Sequence, residues 1–295
     1  MPRLAALVAS LAVLGAACSG GGGPEPAAAP RSTSSELATT TTTVATTTST
    51  TAAAVTTLAT GDAESVAATL AATEVAIRDP ATPPSELERL AIAQQAAYRQ
   101  LVEHPEWMDQ VLARVPAPLH RTVRANTTAG AELRALTKPR PTLPPWRIVA
   151  PAPAEELLGY YKATDAQLGV PWQYLAAIHL VETRMGRIRG TSVAGAQGPM
   201  QFLPATWAQY GAGGDINSNR DAILAAGRLL RRNGAPANMA KALFAYNPTP
   251  RYVTAVTAYA EQIRADERAY LGYYHWQVYY RMVDGDRLLP VGYGQ

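Results

Sequence analysis

The sequence predicts a mainly α-helical protein with a short C-terminal β-hairpin, carried behind an export leader and a long low-complexity tether. Three observations lead to this expectation. From Asp62 onward apolar residues recur at spacings of three and four, the period of an α-helix with one buried face. Between residues 154 and 265 six further apolar stretches follow one another, four of them opening on a proline, which a first helical turn accepts because its amide has no intrahelical partner there. A strong hairpin signal comes only near the end, where Asp284-Gly285 separates two apolar runs.

The chain begins with Arg3, the apolar run Leu4 to Leu14, the small residues Gly15-Ala16-Ala17 and then Cys18, the single cysteine of the sequence. This is the layout of a secretory signal peptide over residues 1–18, and its apolar run is about half the roughly 20 residues a membrane-spanning helix needs. Leu-Gly-Ala-Ala-Cys resembles the lipobox of bacterial lipoproteins, although Gly15 stands where a larger apolar residue is usual. The resemblance implies that Cys18 carries acyl chains that hold the protein on the outer face of the cytoplasmic membrane. With no second cysteine the exported part has no disulfide and must be stabilised by its core. Residues 19–61 are nearly all Gly, Pro, Ala, Ser and Thr, too poor in apolar area to offset ordering, so they are expected to be disordered. Such a tether averages roughly 35 Å end to end and reaches at most about 140 Å.

Residues 62–137 read as a layer of helices. Val66, Leu70 and Ile77 share one face, then Leu87, Leu90, Tyr98 and Leu101, then Val111, Val115, Leu119 and Val123; Ser85 is the expected N-cap of the second helix, with Glu88 three residues on. Nothing in this layer forms a chemical constellation, so scaffold or partner surface is its default reading. The connector 138–153 holds six prolines and should be extended. The domain 154–265 then predicts helices over Ala154 to Leu168, Pro171 to Met185, Pro204 to Tyr210, Asp221 to Asn233, Pro236 to Ala245 and Pro250 to Ala265. In the tail, 266–295, the aromatic run Tyr273 to Tyr280 and the run Leu288 to Val291 should form a two-stranded ribbon packed on the helices.

Glu182 is the residue with the clearest chemistry. It ends an apolar helix, on the face shared by Leu175 and Ile178, and precedes the glycine-rich segment Gly195 to Phe202, GAQGPMQF. Burial and the carbonyl end of the helix both disfavour a carboxylate, so its pKa should be raised and the acid kept neutral to protonate a leaving oxygen. Gly195 and Gly198 permit positive φ and close approach of backbone amides to a ligand, although a tight connection between helices needs the same residues. No second carboxyl is convincingly placed: turns and caps account for Asp215 and Asp221.

Four ordered segments resemble those of the lytic transglycosylases of bacterial cell walls, closest to the membrane-bound murein group: Val181 to Gly186, Ser192 to Phe202, Asp221 to Ile223, and Ala245-Tyr246-Asn247. The resemblance covers about residues 154–265 and implies a goose-type lysozyme-like fold. It also implies cleavage of the bond between N-acetylmuramic acid and N-acetylglucosamine in peptidoglycan, with Glu182 as acid and then base and a 1,6-anhydro sugar as product. By the same resemblance Ser192 lies near the N-acetyl group, Met200 and Gln201 line the substrate, and Tyr246 stands beside the acid. Asn247 either binds the N-acetyl group or caps the helix after Pro248. Pro199 departs from the leucine that many relatives carry.

Two rival functions remain at this level. One is a hydrolytic muramidase on the same fold, and the other an inactive wall-binding lipoprotein. A formal charge of +3 and a pI of about 9.0 are too modest for a nucleic-acid partner and suit an anionic wall. No cofactor is implied. Asp215, Asn217, Asn219 and Asp221 alternate as calcium ligands do, yet Arg220 replaces the required glycine and Ala226 the closing glutamate, so no metal is expected. His179, one turn before Glu182, reads as a packing residue rather than a second base, and no histidine pair has zinc spacing.

Overall fold

The computed structural model describes Thr56–Thr57 and residues 61–295. The leader, Cys18 and nearly all of the tether therefore lie outside the described residues. Within them the chain is mainly helical, with eleven α-helices and a small C-terminal hairpin. β1 is Thr56–Thr57. α1 (Ala63–Arg78) opens with a reciprocal cap, the Asp62 carboxylate accepting from Ser65 N at 2.8 Å and Ser65 Oγ accepting from Asp62 N at 3.0 Å. α2 (Pro84–Glu103) begins before its expected cap, because Pro84 already has the φ of a first helical residue and leaves Ser85 inside the turn. α3 (Met108–Leu112) and α4 (His120–Leu136) complete the first region.

The proline-rich connector does more than extend. Its prolines flank Trp146 to Val149, whose amides remain free to pair, and β2 (Arg147–Ile148) runs antiparallel to β3 (Ile188–Arg189). Between these strands lie α5 (Ala154–Leu168), stopped by Gly169 at φ +64°, and α6 (Trp172–Thr183). After β3 come α7 (Pro204–Tyr210), α8 (Asn219–Arg232), α9 (Met239–Tyr246) and α10 (Pro250–Ala265). α5, α7 and α10 occupy the expected residues. α9 starts later than Pro236, where the Asn238 side chain accepts from Lys241 N at 2.9 Å and caps it.

The tail requires three corrections. Tyr273 and Tyr274 belong to a further helix, α11 (Arg268–Tyr274), rather than to the ribbon. β4 (Val278–Met282) and β5 (Gly285–Leu289) do pair, but Met282 opposes Gly285, so the two turn residues are Val283 and Asp284 and the glycine opens the second strand at φ +115°. The other edge of β5 pairs with β1, within the stretch expected to be disordered; an open strand edge offers backbone donors and acceptors whatever the side chains.

The first helical region is not a separate layer. One continuous core runs from Val66 to Trp276, and α10 packs on both α4 and α6, burying Tyr252, Ala255, Val256 and Tyr259. A second, small core of Ile148, Val278, Tyr280 and Leu289 joins the β2–β3 pair to the hairpin. α6 sits so deeply that nearly every residue from Trp172 to Thr183 is buried, with Glu182 as the partly open exception among the last residues of the helix.

Candidate active site

A cleft of about 420 Å³ runs between the end of α6, the loop after β3, the end of α9, and a far wall made by α2, α4 and the hairpin. Glu182, Ser192, Gln201, Tyr246 and Asn247 all line it. The far wall includes Gln95, Tyr98 and Asn126 from the region read as mere scaffold, and Trp276 and Tyr279 from the tail. Trp276 is otherwise buried in the core, whereas Tyr279 is half-buried with the Arg99 guanidinium 4.2 Å from its ring centroid.

Glu182 is placed by an abrupt helix end. Arg184, Met185 and Gly186 take positive φ values of 53°, 59° and 79° in succession, which turns the chain away after Thr183. Thr183 secures the turn, its hydroxyl donating to Pro199 O at 2.6 Å and accepting from Gly186 N at 3.0 Å, so the helix end and the glycine-rich loop are tied together. Glu182 Oε1 accepts a 2.7 Å hydrogen bond from the Tyr252 hydroxyl. Its side chain opens partly to the cleft, yet enough protein surrounds it that burial pushes its pKa up to about 7, against the Tyr252 bond, which pulls it down. Among the residues lining the cleft it is the only carboxylic acid.

Tyr252 was not singled out from the sequence. Its position on the inner face of α10 was readable, but its target depends on how α10 crosses α6. The Tyr252 ring stacks on Tyr246, 6.2 Å between centroids and 3° from parallel, and the Tyr246 hydroxyl donates to Met200 O at 2.5 Å. Burial first, then the nearby Glu182 charge, hold both phenols well above their ordinary pKa, so they remain donors.

The loop corrects the expectation of amides aimed at a ligand. Gly195 N donates to Ser192 O at 2.9 Å, Ala196 N to Ser192 Oγ at 3.0 Å, and Gln201 N to Gly198 O at 3.1 Å; Gln197 and Phe202 exchange two bonds of 2.9 Å. These donors hold the loop in shape and are spent inside it. Gly195, Gly198 and Met200 accordingly do not line the cleft. Met200 is fully buried and contributes its carbonyl to Tyr246, while Gly198 lies so close to Ile216 that an added Cβ would stand 1.9 Å from Ile216 O. Ser192 and Gln201 do reach the cleft, Ser192 with its oxygen already accepting one bond and its hydroxyl proton free.

Asn247 is only 4 % exposed, and its side-chain carbonyl has no partner although it borders the cleft. The side-chain cap considered for it is absent: α10 begins from Thr249 with no side-chain cap. Asp215 and Asp221 serve the turn before α8, as expected, with Asp221 Oδ2 accepting from Asp215 N at 3.0 Å. No group of three or more metal-ligating side chains forms among the described residues. His179 is buried, 2.7 Å through Nδ1 from the Tyr161 hydroxyl, and burial pushes its pKa down to about 3. It packs below the site and does not line the cleft.

No described helix is long and apolar enough to cross a membrane. Comparison of the chain with known protein families, with curated proteins and with solved structures returns no match.

Proposed function

We propose that this protein is a peptidoglycan lytic transglycosylase with a lysozyme-like catalytic domain, and that Glu182 protonates the glycosidic oxygen and then takes back a proton from the sugar's 6-hydroxyl. The observation that carries this reading is a single half-buried carboxyl group at the end of an apolar helix, bonded by Tyr252 and, among the described residues, the only acid lining the cleft. Glycosidases that work through two carboxyl groups keep them about 5–9.5 Å apart across the scissile bond. With no second acid lining the cleft, an internal nucleophile supplied by the sugar fits better. Tyr252 and Tyr246 orient the acid, and the unpartnered Asn247 carbonyl and the Ser192 hydroxyl suit an N-acetyl group, which offers one donor and one acceptor.

The partial opening of Glu182 to the cleft favours one rival, since a water admitted there would give hydrolysis instead. Mass spectrometry of peptidoglycan digested by the purified protein separates the two. The anhydro product is lighter by one water, and a product set made wholly of reducing ends would overturn the transglycosylase reading. Export and acylation at Cys18 belong to the same proposal, and a Cys18→Ser chain that still sediments with membranes would exclude the anchor.

The acid role also has a pH signature. Activity requires the protonated form, so it should fall as pH rises through about 7. In Tyr252→Phe the bond that favours the ionised form is lost, the Glu182 pKa rises, and the alkaline limb of the rate profile moves to higher pH. An unmoved limb would show that Tyr252 does not hold the acid.

A further inference from the structure

The cleft is far from neutral. Six cationic side chains line it, Arg99, Arg134, Lys138, Arg140, Arg184 and Arg281, against the one acid Glu182. Two of the six are compensated: buried Asp286 pairs with both Arg99 and Arg134, and Glu103 lies 2.8 Å from Arg134. No carboxylate pairs with Lys138, Arg140 or Arg281 among the described residues.

These three are held together. Arg281 on β4 donates through Nη1 to Arg134 O at 3.0 Å and Thr137 O at 2.7 Å, which fixes its guanidinium at the end of α4. The connector lies alongside, with Arg140 N donating to Arg281 O at 3.0 Å and Val283 N to Arg140 O at 3.0 Å. Arg140 Nε is buried with no partner, a donor out of reach of water and still unsatisfied. Lys138 stands exposed two residues before it. Sugar rings and N-acetyl groups carry no charge to meet such a cluster, whereas planar guanidinium groups match carboxylates in shape and charge.

We infer that the Lys138, Arg140 and Arg281 edge of the cleft binds the carboxylates of the short peptides that branch from the glycan, so that strands with free peptide carboxylates are preferred over strands whose peptides are amidated. This rests on the proposed cleavage at Glu182 and names the part of the substrate that the far wall reads. The peptides hang from the sugar being cut, and the cationic edge belongs to the same cleft as the acid, which explains why the connector and hairpin complete the wall.

The test compares wild type with Lys138→Ala/Arg140→Ala on intact peptidoglycan and on the same peptidoglycan with its peptide carboxylates amidated, because stripping the peptides would bare the lactyl carboxylate of each muramic acid. Wild type should have the higher kcat/KM on intact material, and the double variant should lose about tenfold or more of that preference. An equal preference in both proteins overturns the inference. A second arm titrates full-length Glu182→Gln, by calorimetry, with a synthetic stem peptide bearing free carboxylates and with the same peptide amidated. Tighter binding of the acid form, weakened when Lys138→Ala/Arg140→Ala is added, supports the inference even if wild type cleaves nothing. Indifference to the carboxylates overturns it while leaving cleavage at Glu182 intact.

Discussion

Glu182→Gln is expected to lower kcat on peptidoglycan by roughly 10²–10⁴-fold while the protein stays folded, because an amide of the same shape can accept the Tyr252 bond but cannot give up a proton. The stability change makes the prediction sharper. In the folded protein the Glu182 pKa is raised to about 7 from a reference value of 4.5, so between these pH values the folded state binds more protons than the unfolded one. Wild-type stability therefore declines as pH rises above about 4.5, and the loss is complete once the folded protein ionises above about 7. Gln has no such loss. The variant should match wild type near pH 4 and melt higher at pH 9, by the equivalent of about 1–2 kcal/mol after allowing for solvent reaching the carboxyl through the cleft. Unimpaired turnover would falsify the acid assignment outright, and equal melting at pH 9 would show that the carboxylate is at ease in water.

Gly198→Ala should be the most damaging small substitution in the loop. At φ +73° the residue already occupies a region that L side chains resist, and a Cβ would meet Ile216 O at 1.9 Å and Ile216 C at 2.9 Å. Those are backbone atoms, so relief requires the glycine-rich loop and the loop before α8 to separate. A cost of roughly 2–4 kcal/mol follows, a fall in Tm on the order of 10 °C for a chain of this size. Gly195→Ala is the control. Its φ of +83° is equally unfavourable, but nothing lies within 4 Å of the added atom, so the loss should stay near about 1 kcal/mol. Differential scanning calorimetry distinguishes them, and equal melting of the two variants would mean that the contact with Ile216 is not tight. Activity should follow stability in Gly198→Ala, since the loop carries the Met200 carbonyl that seats Tyr246.

How far the site was legible depends on the range of the interactions that build it. Glu182 stood out because a carboxyl at the end of an apolar helix is a local anomaly, and its neighbours Ile178 and Leu175 are one and two turns away. Even there periodicity was a weak guide to direction, since α6 is buried on nearly all sides. The glycines of the loop correctly signalled positive φ, yet not the fate of the amides, most of which bond within the loop. Tyr252 escaped because a tyrosine on a buried helix face looks like packing until the partner of its hydroxyl is known.

The sequence by itself determined the helices α5, α7 and α10, the pairing of the last two strands and the placing of a lone carboxyl at the end of an apolar helix. Each rests on capping, proline placement or apolar spacing among residues a few positions apart, where backbone geometry leaves few choices. Only the tertiary structure decided that α2, α4 and the hairpin close the cleft, that Tyr252 meets Glu182 across 70 residues of chain, and that Met200 and Gly198 support the site from behind. Those outcomes follow from the crossing of α10 over α4 and α6, which is set by the fit of many buried side chains at once and leaves no periodic mark in any one segment.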